Sequence, residues 1–264
     1  MTTHNGRPDV KEKVKERYAR IALIDNSDCC CMPGECGAET QTYFSSASEA
    51  ALAIGYDENE LKSVPAASIL GVGCGAPLNF AGISEGEVIV DLGSGAGIDV
   101  FLSANRVGKG GKVIGIDMTD EMLEKARKNA KDYGYANIEF RKGDIEKRIP
   151  VENDSADLVI SNCVINLTTN KVDAFKEVHR VLKRGGRMVI SDLVADAEVA
   201  PDTANAEKWC SCIDGALTKE NYLDSIRKAG FQNVVEVLSE RLYMEGEEVD
   251  GRKITSVVIE AVKE

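Results

Sequence analysis

Histidine is nearly missing from this sequence, which carries only His4 and His179. Imidazole-based zinc sites therefore have little material, and the chain offers no C-x-x-C pair from which thiolates could build one instead. Also missing is any apolar run near the roughly 18 residues that a membrane span needs, and residues 1–21 are charged throughout, unlike a leader. A cytoplasmic address with no membrane partner is expected. Positive charge is in deficit as well: 44 acidic residues against 32 basic ones leave a net charge of -12 at pH 7. Such a surface repels polyanions, so nucleic acid is not an expected partner. No internal repeat and no low-complexity tract interrupts the chain.

What the chain has instead is cysteine. There are eight: Cys29, Cys30, Cys31, Cys36, Cys74, Cys163, Cys210 and Cys212, the first four inside the stretch NSDCCCMPGEC at 26–36. In a reducing compartment structural disulfides do not account for so many, which leaves metal or thiol chemistry as the default. With 264 residues and 43% apolar composition the chain can bury one large core, with smaller attachments.

Along the chain, Val10, Val14, Tyr18 and Ile21 recur at helical spacing among lysines and glutamates, describing an amphipathic helix that lies on something else. Residues 45–62 read as a second, short helical piece. From Val88 onward Val/Ile-rich runs alternate with amphipathic helices: EVIVD, IDVFLSANRV, KVIGID, DEMLEKARKNAKDYG, IEFRKGD, DLVIS, KVDAFKEVHRVLK, GRMVISD. That alternation means parallel strands with crossover helices, hence a doubly wound, Rossmann-like α/β sheet. One more helix follows, NYLDSIRKAG, and the late pair VVEVLSERLY and ITSVVIEAVK adds an antiparallel edge to the mostly parallel sheet. The expected division is an N-terminal helical and cysteine-loop cap over 1–62, a cofactor-binding domain over 63–195, and a substrate-site segment with terminal strands over 196–264.

Two glycine-rich loops compete as cofactor cradle, GVGCG at 71–75 and DLGSGAG at 91–97. The second follows the apolar strand EVIV and opens a helix, so its backbone N–H groups face a ligand at the carboxyl end of the sheet; the first runs into Ala76 and Pro77. Gly93, Ser94, Gly95 and Gly97 therefore form the cradle. Its G-x-G-x-G spacing lacks the ending of the dinucleotide fingerprint, and Asp91 ahead of it would oppose a pyrophosphate while suiting an amino group. Asp117, ending KVIGID, stands where an acid accepts hydrogen bonds from ribose hydroxyls. Met118 beside it can pack on an adenine face, and Gly143, Asp144 and Ile145, ending the next strand, can meet the edge of the base.

These three features in this order resemble the class I S-adenosylmethionine-dependent methyltransferases, which implies that fold and that cofactor. His179 lies in a stretch similar to the helix before strand five of that superfamily and reads as structural rather than as a base. Strand DLVIS is followed by Asn162 and Cys163, which should lie beside the transferable methyl group, since ligands bind outside the carboxyl ends of such strands. With no histidine or obvious acidic pair near that loop, a protonated acceptor is disfavoured. A soft acceptor held by thiolates, trivalent arsenic above all, needs no base.

At this point the chain resembles, more narrowly, the arsenite methyltransferases, through VKERYARIA at 14–22 followed by vicinal cysteines, GVGCGAPL at 71–78, DLGSGAGID at 91–99, SNCVINL at 161–167 and CIDGAL at 212–217. The resemblance implies that Cys163 and Cys212 grip arsenic. It implies too that Cys74 adds a third sulfur to the arsenic site, and that Cys74 and one cysteine of 29–31, for which Cys30 stands, join them in thiol–disulfide exchange. The expected partners are arsenite or its thiol complexes, and a glutathione-like thiol or thioredoxin as reductant. Cys36 and Cys210 fall outside the pattern. Because thiolates react, the site should favour partial ionisation. Two rivals remain: methyl transfer to a quinone- or sterol-type acceptor, and a non-catalytic thiol-based metal(loid) sensor.

Overall fold

A computed structural model describes residues 10–23, 44–200, 203–231, 235–243 and 248–264. Cys29, Cys30, Cys31 and Cys36 lie outside the described residues.

Helix α1 spans Val10–Leu23, with Val10, Val14 and Ile21 buried at the spacing read from the sequence. The piece at 45–62 is two helices, α2 (Ala47–Ala53) and α3 (Glu58–Lys62), rather than one. Gly55, at φ 109°, breaks the run, and the Asp57 carboxylate starts the next helix by accepting from the N–H groups of Asn59 and Glu60.

The rest is the doubly wound sheet. Its strands and helices run β1 (Val88–Leu92), α4 (Ile98–Val107), β2 (Lys112–Asp117), α5 (Asp120–Asp132), β3 (Ile138–Lys142), β4 (Ala156–Asn162), α6 (Lys171–Val181) and β5 (Leu182–Ala195). There follow α7 (Ala206–Cys210), α8 (Lys219–Lys228), β6 (Val235–Leu242), the short β7 (Glu248–Val249) and β8 (Arg252–Val262). The spatial order is β3-β2-β1-β4-β5-β8-β6, with β7 paired to β8. Pairs among the first five strands are parallel, while β8 runs antiparallel to β5 and to β6. The antiparallel addition is thus two long strands, and the longer, later one inserts next to β5.

Along β1 the pleat sends Val90 and Leu92 into the apolar layer with Phe175 and Tyr222, and Ile89 into the opposite layer with Phe101 and Val113. Both faces are covered by helices, as a buried parallel sheet requires. Asp91 pairs with Gly115 on one side and Ile160 on the other. This register levels the carboxyl ends of β1, β2 and β4, and the strand order reverses between β1 and β4, which opens a crevice there.

Phe175 is fully buried and meets Tyr222 edge-on at 5.7 Å. Phe175→Ala should cost about 3–5 kcal/mol, measurable as a lower urea midpoint at unchanged slope.

Candidate active site

The crevice is a cleft of about 1180 Å³ counted out to its mouth. Gly93, Ser94 and Gly95 form one wall, and Gly93, Gly95 and Gly97 all hold positive φ, at 64°, 53° and 99°. At Gly93 there is also no room, since a Cβ would stand 2.4 Å from Val164 Cγ2. Asp91, Asp117, Met118 and Asn162 reach the cleft from the strand ends, and Gly143, Asp144 and Ile145 close its far side. Gly97 starts α4 and does not itself line the cleft. Asp117 stiffens the cradle by accepting from the N–H of Gly95 at 2.9 Å and of Thr119 at 2.9 Å. Lys11, Val14 and Tyr18 of α1 cover the opening, and Lys11 pairs with Asp144 at 2.9 Å and with Glu146.

Sequence reading missed Asp99 and Tyr56. The Tyr56 hydroxyl donates to the Asp99 carboxylate, 2.8 and 2.9 Å from its oxygens, and accepts from Asn162 Nδ2 at 2.9 Å. Asp99 sits in the quoted motif DLGSGAGID, but Tyr56, on the α2–α3 connection, carries no local signal. Burial raises Asp91, Asp99 and Asp117 above the ordinary carboxylate range, and the charges of Asp99 and Asp117 push Asp91 further. Asp99 reaches about 6. Desolvated carboxylates gathered at one cleft suit a ligand that brings positive charge.

Behind the cleft the sulfurs gather. Cys74, Cys163 and Cys212 belong to one small buried cluster. The Cys212 thiol donates to the Cys163 carbonyl at 3.0 Å, and the Cys74 and Cys163 sulfurs and an Asp192 carboxylate oxygen all lie within 4.8 Å of one another. Asn162 fixes the Cys74 loop to the end of β4: its Oδ1 accepts from Cys74 N–H at 3.1 Å and its Nδ2 donates to Gly75 O at 2.6 Å. Cys163 and Cys212 both adopt left-handed backbone, φ 60° and 65°, two of only four non-glycine residues to do so among those described. Such strain persists only where the surroundings enforce it, and it gathers at functional sites.

One expectation needs correcting, the ionisation of the sulfurs. A single acid rather than a pair stands beside the strand-four loop: Asp192, from the next strand, buried and raised to about 6 by desolvation. The Cys163 and Cys212 thiols are not tuned for easy ionisation. Burial pushes Cys163 well up, with the neighbouring Cys212 and Cys74 thiols adding to it; Cys212 is raised despite its contact with Cys163, because desolvation and nearby Asp192 outweigh that contact. Cys210, which sequence left aside, is buried against Val10 and Val14 of α1. His179 does hold a structural place, its ring packed edge-on against Phe231 at 5.0 Å, away from the cleft.

The profile of the family described as a methyltransferase domain matches residues 83–230. The arsenite methyltransferase of Halobacterium salinarum is 41% identical over 232 residues, covering 86% of this chain and 58% of that protein. The crystal structure of CrArsM, an arsenic(III) S-adenosylmethionine methyltransferase from Chlamydomonas reinhardtii, superposes with a TM-score of 0.64 at 33% identity, covering 82% of this chain and 73% of that one. This chain belongs to the arsenite S-adenosylmethionine methyltransferase family. A demethylmenaquinone methyltransferase of Lactococcus lactis is 39% identical over 104 residues, but over only 39% of this chain. The chain spans about half the length of the curated relatives it matches. S-adenosylmethionine is the family's cofactor, and the cleft fits it: the buried carboxylates of Asp91 and Asp99 and the half-buried one of Asp117 would face a ligand that bears an ammonium and a sulfonium. Among the described residues no helix is long and apolar enough to cross a membrane.

Because the folded-state value of Asp99 is raised, its burial contributes stability at low pH that is lost as pH rises through about 6. A bound cation offsets that loss, so S-adenosylmethionine affinity should rise between about pH 5 and 7, by up to about tenfold, and Asp99→Asn should flatten the profile in calorimetric titration. Gly215 packs so closely that a Cβ would stand 1.9 Å from Asn166 O. Gly215→Ala should lower stability by about 1–3 kcal/mol in thermal unfolding and shift Cys212.

Proposed function

We propose that this chain methylates thiol-bound trivalent arsenic. The observation that carries the reading is the convergence of Cys74, Cys163 and Cys212 at the carboxyl edge of the sheet, beside the cofactor cleft. When bound, S-adenosylmethionine supplies an electrophilic methyl group on its sulfonium. Asp91, Asp99 and Asp117 would hold the positively charged and ribose ends of that cofactor, and the backbone of the 93–95 turn would line it.

Cys163 and Cys212 grip arsenic by exchange. Each buried thiol gives its proton to an arsenic-bound hydroxide, water leaves, and an As–S bond forms, so the raised thiol values do not obstruct capture. Arsenic held in this way keeps a lone pair, which Cys163, the only one of the three lining the cleft, aims at the methyl carbon. Positioning supplies most of the rate, since no acceptor proton has to be removed. Donating the pair to carbon makes arsenic formally pentavalent. Two thiolates then return it to the trivalent state as their sulfurs join in a disulfide, the two electrons passing to arsenic. Cys74 is one partner in that step and a cysteine of 29–31 the other, and a glutathione-like thiol or thioredoxin resets the pair. Lys11, Val14 and Tyr18 on α1 keep water from the reacting atoms.

Incubation of the protein with S-adenosylmethionine, arsenite and thiol should give methylated arsenicals separable by chromatography. Cys163→Ser or Cys212→Ser should lower their formation at least about a hundredfold while cofactor affinity stays within about threefold. Product formation that survives both substitutions would instead point to a carbon or oxygen acceptor.

A further inference from the structure

Asp192 has no part in methyl transfer as described, yet it is fully buried against two of the three sulfurs. Its carboxylate oxygen and the sulfurs of Cys74 and Cys163 come from three separate elements and lie within 4.8 Å of one another, with relative exposures of 0%, 1% and 6%. A tetrahedral zinc-type ion takes sulfur at about 2.3 Å and oxygen at about 2.0–2.2 Å, which puts its donors roughly 3.5–3.8 Å apart. Small side-chain rotations close the present spacing to that value.

The carboxylate is also held as a ligand's should be. Oδ1 accepts from Leu193 N–H at 3.0 Å, and Oδ2 accepts from Asn166 N–H at 3.0 Å and from the Tyr222 hydroxyl at 3.0 Å. Such outer contacts orient a metal-binding carboxylate. Charge balances too. Lys171 is buried at the start of α6, where its strongest attraction is to Asp192. Two thiolates and one carboxylate are neutralised by a divalent cation together with that ammonium. The Cys212 thiol is held apart on the Cys163 carbonyl, so the protein donors of the site are the two sulfurs and the carboxylate.

We propose that Cys74, Cys163 and Asp192 form a buried site for a soft divalent cation of the zinc and cadmium class, and that a cation seated there excludes a trivalent metalloid from the Cys163 sulfur, which both need. On binding, both thiols release their protons to solvent and no electrons move. The cation site stands whatever the methyl acceptor is; only the exclusion rests on the arsenic reading.

The test uses the full chain with Cys29, Cys30, Cys31 and Cys36 replaced by serine, which removes the competing N-terminal thiols. Titration with cadmium(II) should give an ultraviolet thiolate charge-transfer band that saturates at one equivalent. Asp192→Asn should weaken cadmium at least about tenfold while changing arsenite affinity, read by equilibrium dialysis, less than about threefold. Equal cadmium affinity in that serine-substituted chain with and without Asp192→Asn overturns the site. Should Asp192→Asn fail to fold, the cadmium-113 chemical shift of the unsubstituted position decides: a mixed sulfur–oxygen shift supports the site and an all-sulfur shift overturns it. Arsenite that binds undiminished while the cadmium band persists overturns the exclusion and places the metalloid elsewhere.

Discussion

Left-handed backbone at Cys163 is the constraint on which the site turns. Strand β4 ends at Asn162, and one residue later the chain reverses sharply, with the Cys163 N–H bonded to Ser191 O at 2.8 Å and its carbonyl taken by the Cys212 thiol. An ordinary extended residue there would carry the side chain past the cleft. The turn instead leaves one sulfur facing both the cofactor space and the other two. The cost of holding a cysteine in this conformation, of order 1–3 kcal/mol, is offset by β4's flanking strands and by the clamp of Asn162 on the Cys74 loop.

Electrostatics divides the same volume into two regions. On the cofactor side, desolvation raises Asp91, Asp99 and Asp117, the charges of the last two push Asp91 further, and the region awaits positive charge. On the sulfur side, Asp192 is balanced by Lys171, which desolvation lowers to about 8. Burial favours the neutral form of the Cys163 and Cys212 thiols until a thiophile arrives. The Asn162 side chain joins the two regions, since it bonds Tyr56 on the one hand and the Cys74 and Gly75 backbone on the other. Occupancy of the cofactor side and the geometry of the sulfur side therefore share a hydrogen-bonded part.

The alternation of Val/Ile runs with amphipathic helices was enough to read the parallel sheet, because the side-chain periods of strand and helix are local properties of the chain. The glycine turn and the acids at strand ends were legible for the same reason: β1 and β2 each bring their functional residue to the carboxyl end by their own length. Cysteine composition pointed to thiol chemistry, and the motifs around Cys74, Cys163 and Cys212 named the three that meet. The split of 45–62 into two helices was missed because Gly55 and Asp57 act only together, one ending a helix and the other starting the next.

Tyr56, Lys171 and Asp192 were illegible because nothing in their neighbourhoods distinguishes them. Each matters through partners at large sequence separation: Tyr56 through Asp99, Asp192 through Tyr222 and the cysteines, Lys171 through burial itself. The ionisation of the thiols was misjudged for a related reason, since desolvation depends on what covers a group and not on its flanking residues. By itself, then, the sequence determined the sheet, its crevice, the cofactor cradle and the supply of sulfur, all of which follow from local periodicity and turn chemistry. Only the tertiary structure decided which charges stand beside the sulfurs and how strongly burial acts on them, because both are set by distances between elements far apart in the sequence.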